Sequence, residues 1–191
     1  MRTLCASPRV MRPTSQPTLS FDPSAKTAMD KQEPPAPGAD FRVVIVGAGN
    51  INFGSDEGPW NHSFRLEHKL GPRLKVVALI DPDAERARRV LKTKCQSFVL
   101  SAYKDTVVYP TFKDYMASVC AETYPHAVWV GSPPAFRGGT EPGRNLEQLL
   151  TAGLPNVPLF IEKPVSTGAV DQTFEVAKML ERNGSLSLIH I

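Results

Sequence analysis

The feature that most constrains the fold is the run Phe41-Arg42-Val43-Val44-Ile45-Val46, which leads without a break into Gly47-Ala48-Gly49. Apolar residues that do not alternate with polar ones belong to a strand buried on both faces, as in a parallel sheet covered by helices. Glycines directly behind such a strand let the backbone turn tightly and bring its N–H groups close to a phosphate, with no Cβ in the way. A second run, Phe160-Ile161, ends in Glu162-Lys163-Pro164, which puts a lysine at the carboxyl end of another buried strand. In open α/β sheets that end is where ligands bind.

The strands predicted from apolar, β-branched runs are 41–46, 74–80, 106–108, 127–130 and 158–161, and helical patterns fall at 83–102, 113–120, 144–152 and 170–182. This alternation specifies consecutive βαβ units, hence an α/β doubly wound parallel sheet of Rossmann type. In helix 83–102 the residues Ala84, Ala87, Leu91, Cys95, Phe98 and Ala102 recur at steps of three and four and are expected inward. By the same rule Leu146, Leu149 and Leu150 face the core in the third helix, with Gly153 as its C-cap, and Val170, Phe174, Ala177 and Leu180 in the last.

Residues 1–40 hold seven of the eighteen prolines and too few apolar residues to bury a face, so they read as a disordered arm. Their Arg, Ser and Thr content, with no acid before Asp22, resembles an organellar (mitochondrial) transit peptide, but the prolines leave no amphipathic helix. A plain tail on a cytoplasmic protein is therefore the expectation. Residues 41–182 form the dinucleotide-binding domain, and the tail 183–191 alternates enough to add a sixth strand.

Composition narrows the partners. A net charge of +3, spread along the chain, does not imply nucleic acid, and no apolar run is long enough to suggest a membrane helix. Cys5, Cys95 and Cys120 show no CxxC, and His62, His68, His126 and His190 show no ligand spacing, which argues against a disulfide framework and a metal enzyme.

The candidate site follows the strand ends. Gly47 and Gly49 form a GxG turn for a pyrophosphate, although the third small residue of the fingerprint is replaced by Asn52. Asp81 ends the second strand and can accept hydrogen bonds from adenosine ribose hydroxyls, which favours NAD; its alternative role is to start the following helix. It lies 34 residues after Gly47, rather than the customary spacing of roughly 20, which points to a loop inserted at Ser55–Asn61. Arg86, one turn later, could meet a 2′-phosphate instead, so NADP stays open. Gly131-Ser132-Pro133-Pro134 follows the fourth strand and either lines the nicotinamide end of a cofactor groove or is a proline-stiffened loop. Lys163 can donate to an oxygen whose proton moves while hydride passes to a nicotinamide ring. His62 could line the cleft or serve as a packing or capping residue.

The segments VVIVGAGN, VVALIDPDAERA, VWVGSPP and LFIEKPVSTG resemble the Gfo/Idh/MocA oxidoreductase family over about Phe41 to Leu180. The GSDEGPWNHSF segment is similar to that of a fungal-type branch. The resemblance implies that Gly47, Gly49, Asn50 and Ile51 contact the pyrophosphate and that Asp81 contacts the ribose. It places Ser132, Pro133, Glu162 and Lys163 at the nicotinamide end, with Lys163 in the catalytic role. It implies reversible hydride transfer between NAD(P) and a hydroxyl carbon of a sugar, polyol or related small molecule, or else a non-enzymatic, nucleotide-binding transcriptional regulator of sugar metabolism. Relatives continue into a second domain that walls the substrate site and often carry a histidine where this chain has Ala135-Phe136-Arg137. We therefore expect a truncated protein that binds dinucleotide, turns over little alone, and self-associates through the face the second domain would cover, as a homo-oligomer.

Overall fold

A computed structural model of the chain describes residues 35–55, 60–182 and 187–189, so the arm before residue 35 lies outside the described residues. Six strands, β1 (Phe41–Val46), β2 (Leu74–Ile80), β3 (Val107–Tyr109), β4 (Ala127–Val130), β5 (Leu159–Ile161) and β6 (Ser187–Ile189), form one parallel sheet in the order β3-β2-β1-β4-β5-β6. Their connections carry α1 (Asn50–Phe53), α2 (His62–Leu70), α3 (Ala84–Cys95), α4 (Leu100–Tyr103), α5 (Phe112–Met116), α6 (Leu146–Gly153) and α7 (Val170–Arg182). This is the doubly wound Rossmann arrangement, and its strand order reverses between β1 and β4.

Side chains alternate across β1, so Val43 and Ile45 enter one core and Val44 and Val46 the other. The first core packs α2, α3 and α4 on β1 and β2 through Leu66, Ala87, Leu91 and Tyr103. The second packs α5, α6 and α7 on β1, β2, β4 and β5 through Tyr115, Leu150, Val176 and Leu180. On the β4–β5 half of the first face, Trp129 and Phe160 stack on each other at 3.9 Å and are only half-buried.

Register positions the site. Val46 pairs with Ile80 on one side and with Val130 on the other, and Val130 pairs with Ile161. The residues that follow these, Gly47, Asp81, Gly131 and Glu162, are therefore brought level along one edge of the sheet.

Three expectations are corrected. The helix predicted over 83–102 is broken: α3 stops at Cys95, the Ser97 side chain and N–H both bond the Lys94 carbonyl, and Phe98 is fully exposed. Gly153 is the last residue of α6 rather than its cap; a Cβ there would press into the Phe112 ring, so close packing is what requires glycine. Helix α7 buries Val176 and Leu180, leaving Val170 and Phe174 70% and 63% exposed; Leu149 of α6 is likewise exposed. Leu180→Ala is expected to cost about 2–5 kcal/mol as a core truncation, whereas Phe174→Ala on the same helix should stay within about 0.5 kcal/mol. Urea denaturation of the two variants checks which stripe of α7 meets the sheet.

Candidate functional site

The glycine turn is held by two bonds from its own N–H groups, one to a carbonyl and one to a carboxylate. Gly47 N–H donates to the Ile80 carbonyl at 2.8 Å, and Ala48 N–H donates to Asp81 Oδ2 at 2.7 Å. Gly47 has φ of 97°, and a Cβ on it would lie 3.0 Å from the Ser132 nitrogen, so only glycine suits both the conformation and the approach. Beyond it, the N–H groups of Gly49, Asn50 and Ile51 donate to no protein acceptor among the described residues. Helix α1 ends after one turn at Gly54, and α2 starts afresh with Asn61 as its cap, accepting from Phe64 N–H at 2.9 Å.

Asp81 is buried at the end of β2 and accepts three bonds: from Ala48 N–H, from Asp83 N–H at 2.8 Å and from Arg86 at 2.9 Å. Asp83, not Asp81, caps α3 by accepting from Arg86 N–H. The bond to Asp81 raises the Arg86 pKa still further above its already high value, so the guanidinium stays charged at the cleft. Asp81 is thus a fixed carboxylate with its cation half exposed beside it.

At the other end, Glu162 is 2% exposed and its Oε2 lies 2.6 Å from His62 Nε2. His62, the first residue of α2, is buried against the stacked rings of Trp129 and Phe160, tilted to one and edge-on to the other. Glu162 Oε1 and Ser132 Oγ are buried with no protein partner among the described residues. Lys163 is exposed, with Nζ 5.5 Å from the centre of the Trp60 ring. Arg137 is 1% exposed; its Nε donates to the Ser132 carbonyl at 2.9 Å and its Nη1 to the Val165 carbonyl at 3.0 Å. It ties the loop after β4 to the loop after β5. Burial lowers its pKa, an effect opposed by the charges of Glu147 and Glu162.

These elements enclose a cleft of about 480 Å³. The residues expected to contact the cofactor, Gly47, Gly49, Asn50, Ile51, Asp81, Ser132, Pro133, Glu162 and Lys163, all line it, and His62 does not. Arg137 joins them there; the sequence marks it only as part of the segment where relatives often carry a histidine, because a loop residue has no periodicity to reveal burial. His62 braces Glu162 from behind. Among the described residues no cluster of His, Cys, Asp or Glu could hold a metal ion, and no helix is long and apolar enough to cross a membrane.

A family model described as an oxidoreductase family with an NAD-binding Rossmann fold, Gfo/Idh/MocA, matches residues 41–190. Two uncharacterized proteins of Schizosaccharomyces pombe are similar in sequence. One is 43% identical over 147 residues, covering 76% of this chain and 38% of its own length. The other is 39% identical over 160 residues, covering 82% and 39%. The chain thus spans about two fifths of the length of these curated relatives. Among solved structures, the WlbA dehydrogenase of Chromobacterium violaceum, in complex with NADH and UDP-GlcNAcA, superposes with a TM-score of 0.56 at 16% identity, covering 83% of this chain and 37% of that one. A super-repressor mutant of Gal80p from Saccharomyces cerevisiae gives 0.55 at 17% identity, covering 79% and 34%. At such identities the likeness is one of fold.

One buried acid behind the cleft has a readable titration. Glu147 of α6 is fully buried and accepts from Gly138 N–H at 2.8 Å. Burial pushes its carboxyl above the ordinary 4.5, against the opposing pull of the Gly138 bond and Arg137. The folded state therefore keeps a proton that the unfolded chain releases, and stability falls as pH rises from about 4.5 toward the folded value. Glu147→Gln keeps an acceptor for Gly138 and cannot ionise. Its stability relative to the native chain is expected to grow across that window and then level off, as measured by urea denaturation at a series of pH values.

Proposed function

Because the chain belongs to the Gfo/Idh/MocA oxidoreductase family and carries its NAD-binding Rossmann domain, we propose that the cleft holds a nicotinamide dinucleotide against the Glu162–Lys163 strand end. In the whole protein this arrangement would serve hydride transfer to or from a hydroxyl carbon of a sugar, polyol or related compound. The observation that carries the reading is the set of polar groups left without protein partners at the two ends of one cleft: the Gly49, Asn50 and Ile51 N–H groups at the first, Ser132 Oγ and Glu162 Oε1 at the second. Ser132 Oγ and Glu162 Oε1 are buried, and buried polar atoms in native proteins are hydrogen-bonded with few exceptions, so these two fit the polar groups of a ligand, while the three N–H groups belong to half-buried or exposed residues that a ligand can reach.

A dinucleotide matches these groups by chemical type. The three N–H groups suit the pyrophosphate, Asp81 suits ribose hydroxyls, and Ser132, Pro133 and Glu162 border the nicotinamide end. When bound, the nicotinamide supplies the two-electron exchange that no side chain offers. His62 engages Glu162 Oε2, which leaves Oε1 for the cleft. Arg137 keeps the loops after β4 and β5 at a fixed separation. Lys163 Nζ, at the exposed mouth, would donate a hydrogen bond to the oxygen of the reacting carbon and favour the negative charge that grows there as the hydroxyl proton passes to solvent.

Cofactor preference rests on Asp81 and Arg86, which make opposite demands. The carboxylate favours two free ribose hydroxyls, and the guanidinium favours a 2′-phosphate. Asp81 is the more buried of the two and is fixed by two backbone N–H groups, so NAD(H) is the preferred form.

The rival reading, a nucleotide-sensing regulator of sugar metabolism, keeps the same cofactor contacts and needs no proton at Lys163 Nζ. A thermal titration of the chain with NAD, NADH, NADP and NADPH tests the binding claim. Stabilisation of about 2.7 kcal/mol is expected at a ligand concentration a hundred times Kd, weakened in Asp81→Ala and nearly unchanged in Lys163→Ala. A cooperative melt that no nucleotide shifts would sink the proposal. In a protein of the relatives' full length, Lys163→Met should abolish most turnover at unchanged nucleotide affinity; binding without any turnover would favour the regulator.

A further inference from the structure

The dinucleotide fingerprint calls for its third small residue at position 52, where this chain has asparagine. Asn52 is 1% exposed, beneath the glycine turn. Its Nδ2 donates to the Val46 carbonyl at 3.0 Å and to the Gly47 carbonyl at 2.7 Å. Its Oδ1 has no hydrogen-bond partner among the described residues and lies against Gly131, where any Cβ would collide with it. The space that the fingerprint normally saves on the helix has here been saved just after β4, at Gly131.

This exchange has an electrostatic consequence. A pyrophosphate is repelled by carbonyl oxygens and attracted by N–H groups. The Val46 and Gly47 carbonyls lie at the end of β1 just before the donor turn, and Asn52 engages both from inside the protein; Val46 also accepts from Gly131 N–H at 2.9 Å, whereas for Gly47 the Asn52 amide at 2.7 Å is the donor. A long helix behind the turn would add the field of its aligned peptides, but α1 has only four residues. We propose that Asn52 is a positioning residue for the dinucleotide: its amide holds the Gly47 carbonyl inward, away from the pyrophosphate, and so fixes the turn in the conformation that presents its N–H donors. The proposal rests on the reading above that the cleft binds a dinucleotide.

The size exchange and the donor role separate in a set of four variants: Asn52→Asp, Asn52→Gly, Gly131→Ala and the double change Asn52→Gly with Gly131→Ala. Each is measured twice, for cooperative unfolding without nucleotide and for the dissociation constant of NADH by fluorescence titration well below its melting temperature. Asn52→Asp has nearly the same shape but loses the N–H donors and, when ionised, adds a negative charge, whereas Asn52→Gly loses the donors without adding charge; both are expected to bind NADH at least about tenfold more weakly, equivalent to about 1.4 kcal/mol. ADP-ribose, which has the pyrophosphate but no nicotinamide, should weaken by the same factor. Gly131→Ala should melt early, and the double variant should recover that melting temperature, because the new methyl fills the space the asparagine left. Its affinity should stay low. If Asn52→Asp does not fold, Asn52→Gly supplies the affinity comparison. A folded variant without the amide that binds NADH as the native chain does would overturn the role of Asn52 while leaving the cleft assignment intact. A native chain that binds neither NADH nor ADP-ribose would overturn both.

Discussion

The approach of Gly47 to the backbone of Ser132 is the contact on which the rest of the site depends. No side chain fits between them, so the end of β1 and the loop after β4 run as close neighbours at the point where the strand order reverses. That closeness follows from the pairing of Val46 with Val130 and with Ile80. A slip of one residue in either pairing would send every β1 side chain to the wrong face, exchanging Val43 and Ile45 with Val44 and Val46 between two dissimilar cores. Core packing therefore sets the register, and the register delivers Gly47, Asp81, Gly131 and Glu162 to a common edge.

Polar burial is concentrated at that edge. Of the buried polar residues, Asn52, His62, Asp81, Arg137 and Glu162 line the cleft or brace a residue that does. Burying such groups costs desolvation that their pairings at best offset, so they add little net stability. Their effect is geometric. Asp81 is pinned by two backbone N–H groups and Arg86, and Glu162 is pinned by His62. The Ser132 and Val165 carbonyls are pinned by Arg137. The apolar interior supplies cohesion, and the polar edge supplies fixed directions for donors and acceptors.

What was legible in the sequence divides along the same line. The strands 41–46, 74–80 and 127–130 have the bounds expected from their apolar runs, because strands buried on both faces leave an unbroken signature. The glycine turn and the Glu-Lys-Pro strand end were visible because each adjoins such a run. Three features were not. Periodicity shows that a helix has an apolar stripe but not which of two stripes meets the sheet, so the spacing points Phe174 inward where Val176 is the buried residue. Ser97 gives no sign that its side chain will close the Lys94 carbonyl and end α3. The His62–Glu162 and Asn52–Gly131 contacts join residues far apart in sequence, and no local pattern encodes such a pairing.

The split between α1 and α2 shows how one stretch of chain can serve both ends of the cleft. Asn61 Nδ2 donates to the Phe53 carbonyl at 3.2 Å while its Oδ1 caps α2, so a single side chain ties the end of one helix to the start of the next. Gly54 permits this closeness, since a Cβ there would lie 2.6 Å from Asn61 Nδ2. The loop is therefore pinned at its base, whatever path residues 56–59 take. From that base Trp60 reaches Lys163 and His62 reaches Glu162, while Asn52, eight residues before Trp60, holds the glycine turn. Were α1 and α2 one continuous helix, its axis would carry residue 62 about 15 Å from residue 52 at 1.5 Å per residue. The break lets the second helix choose its own origin, so that its first residue meets the end of β5 rather than a point set by the turn after β1.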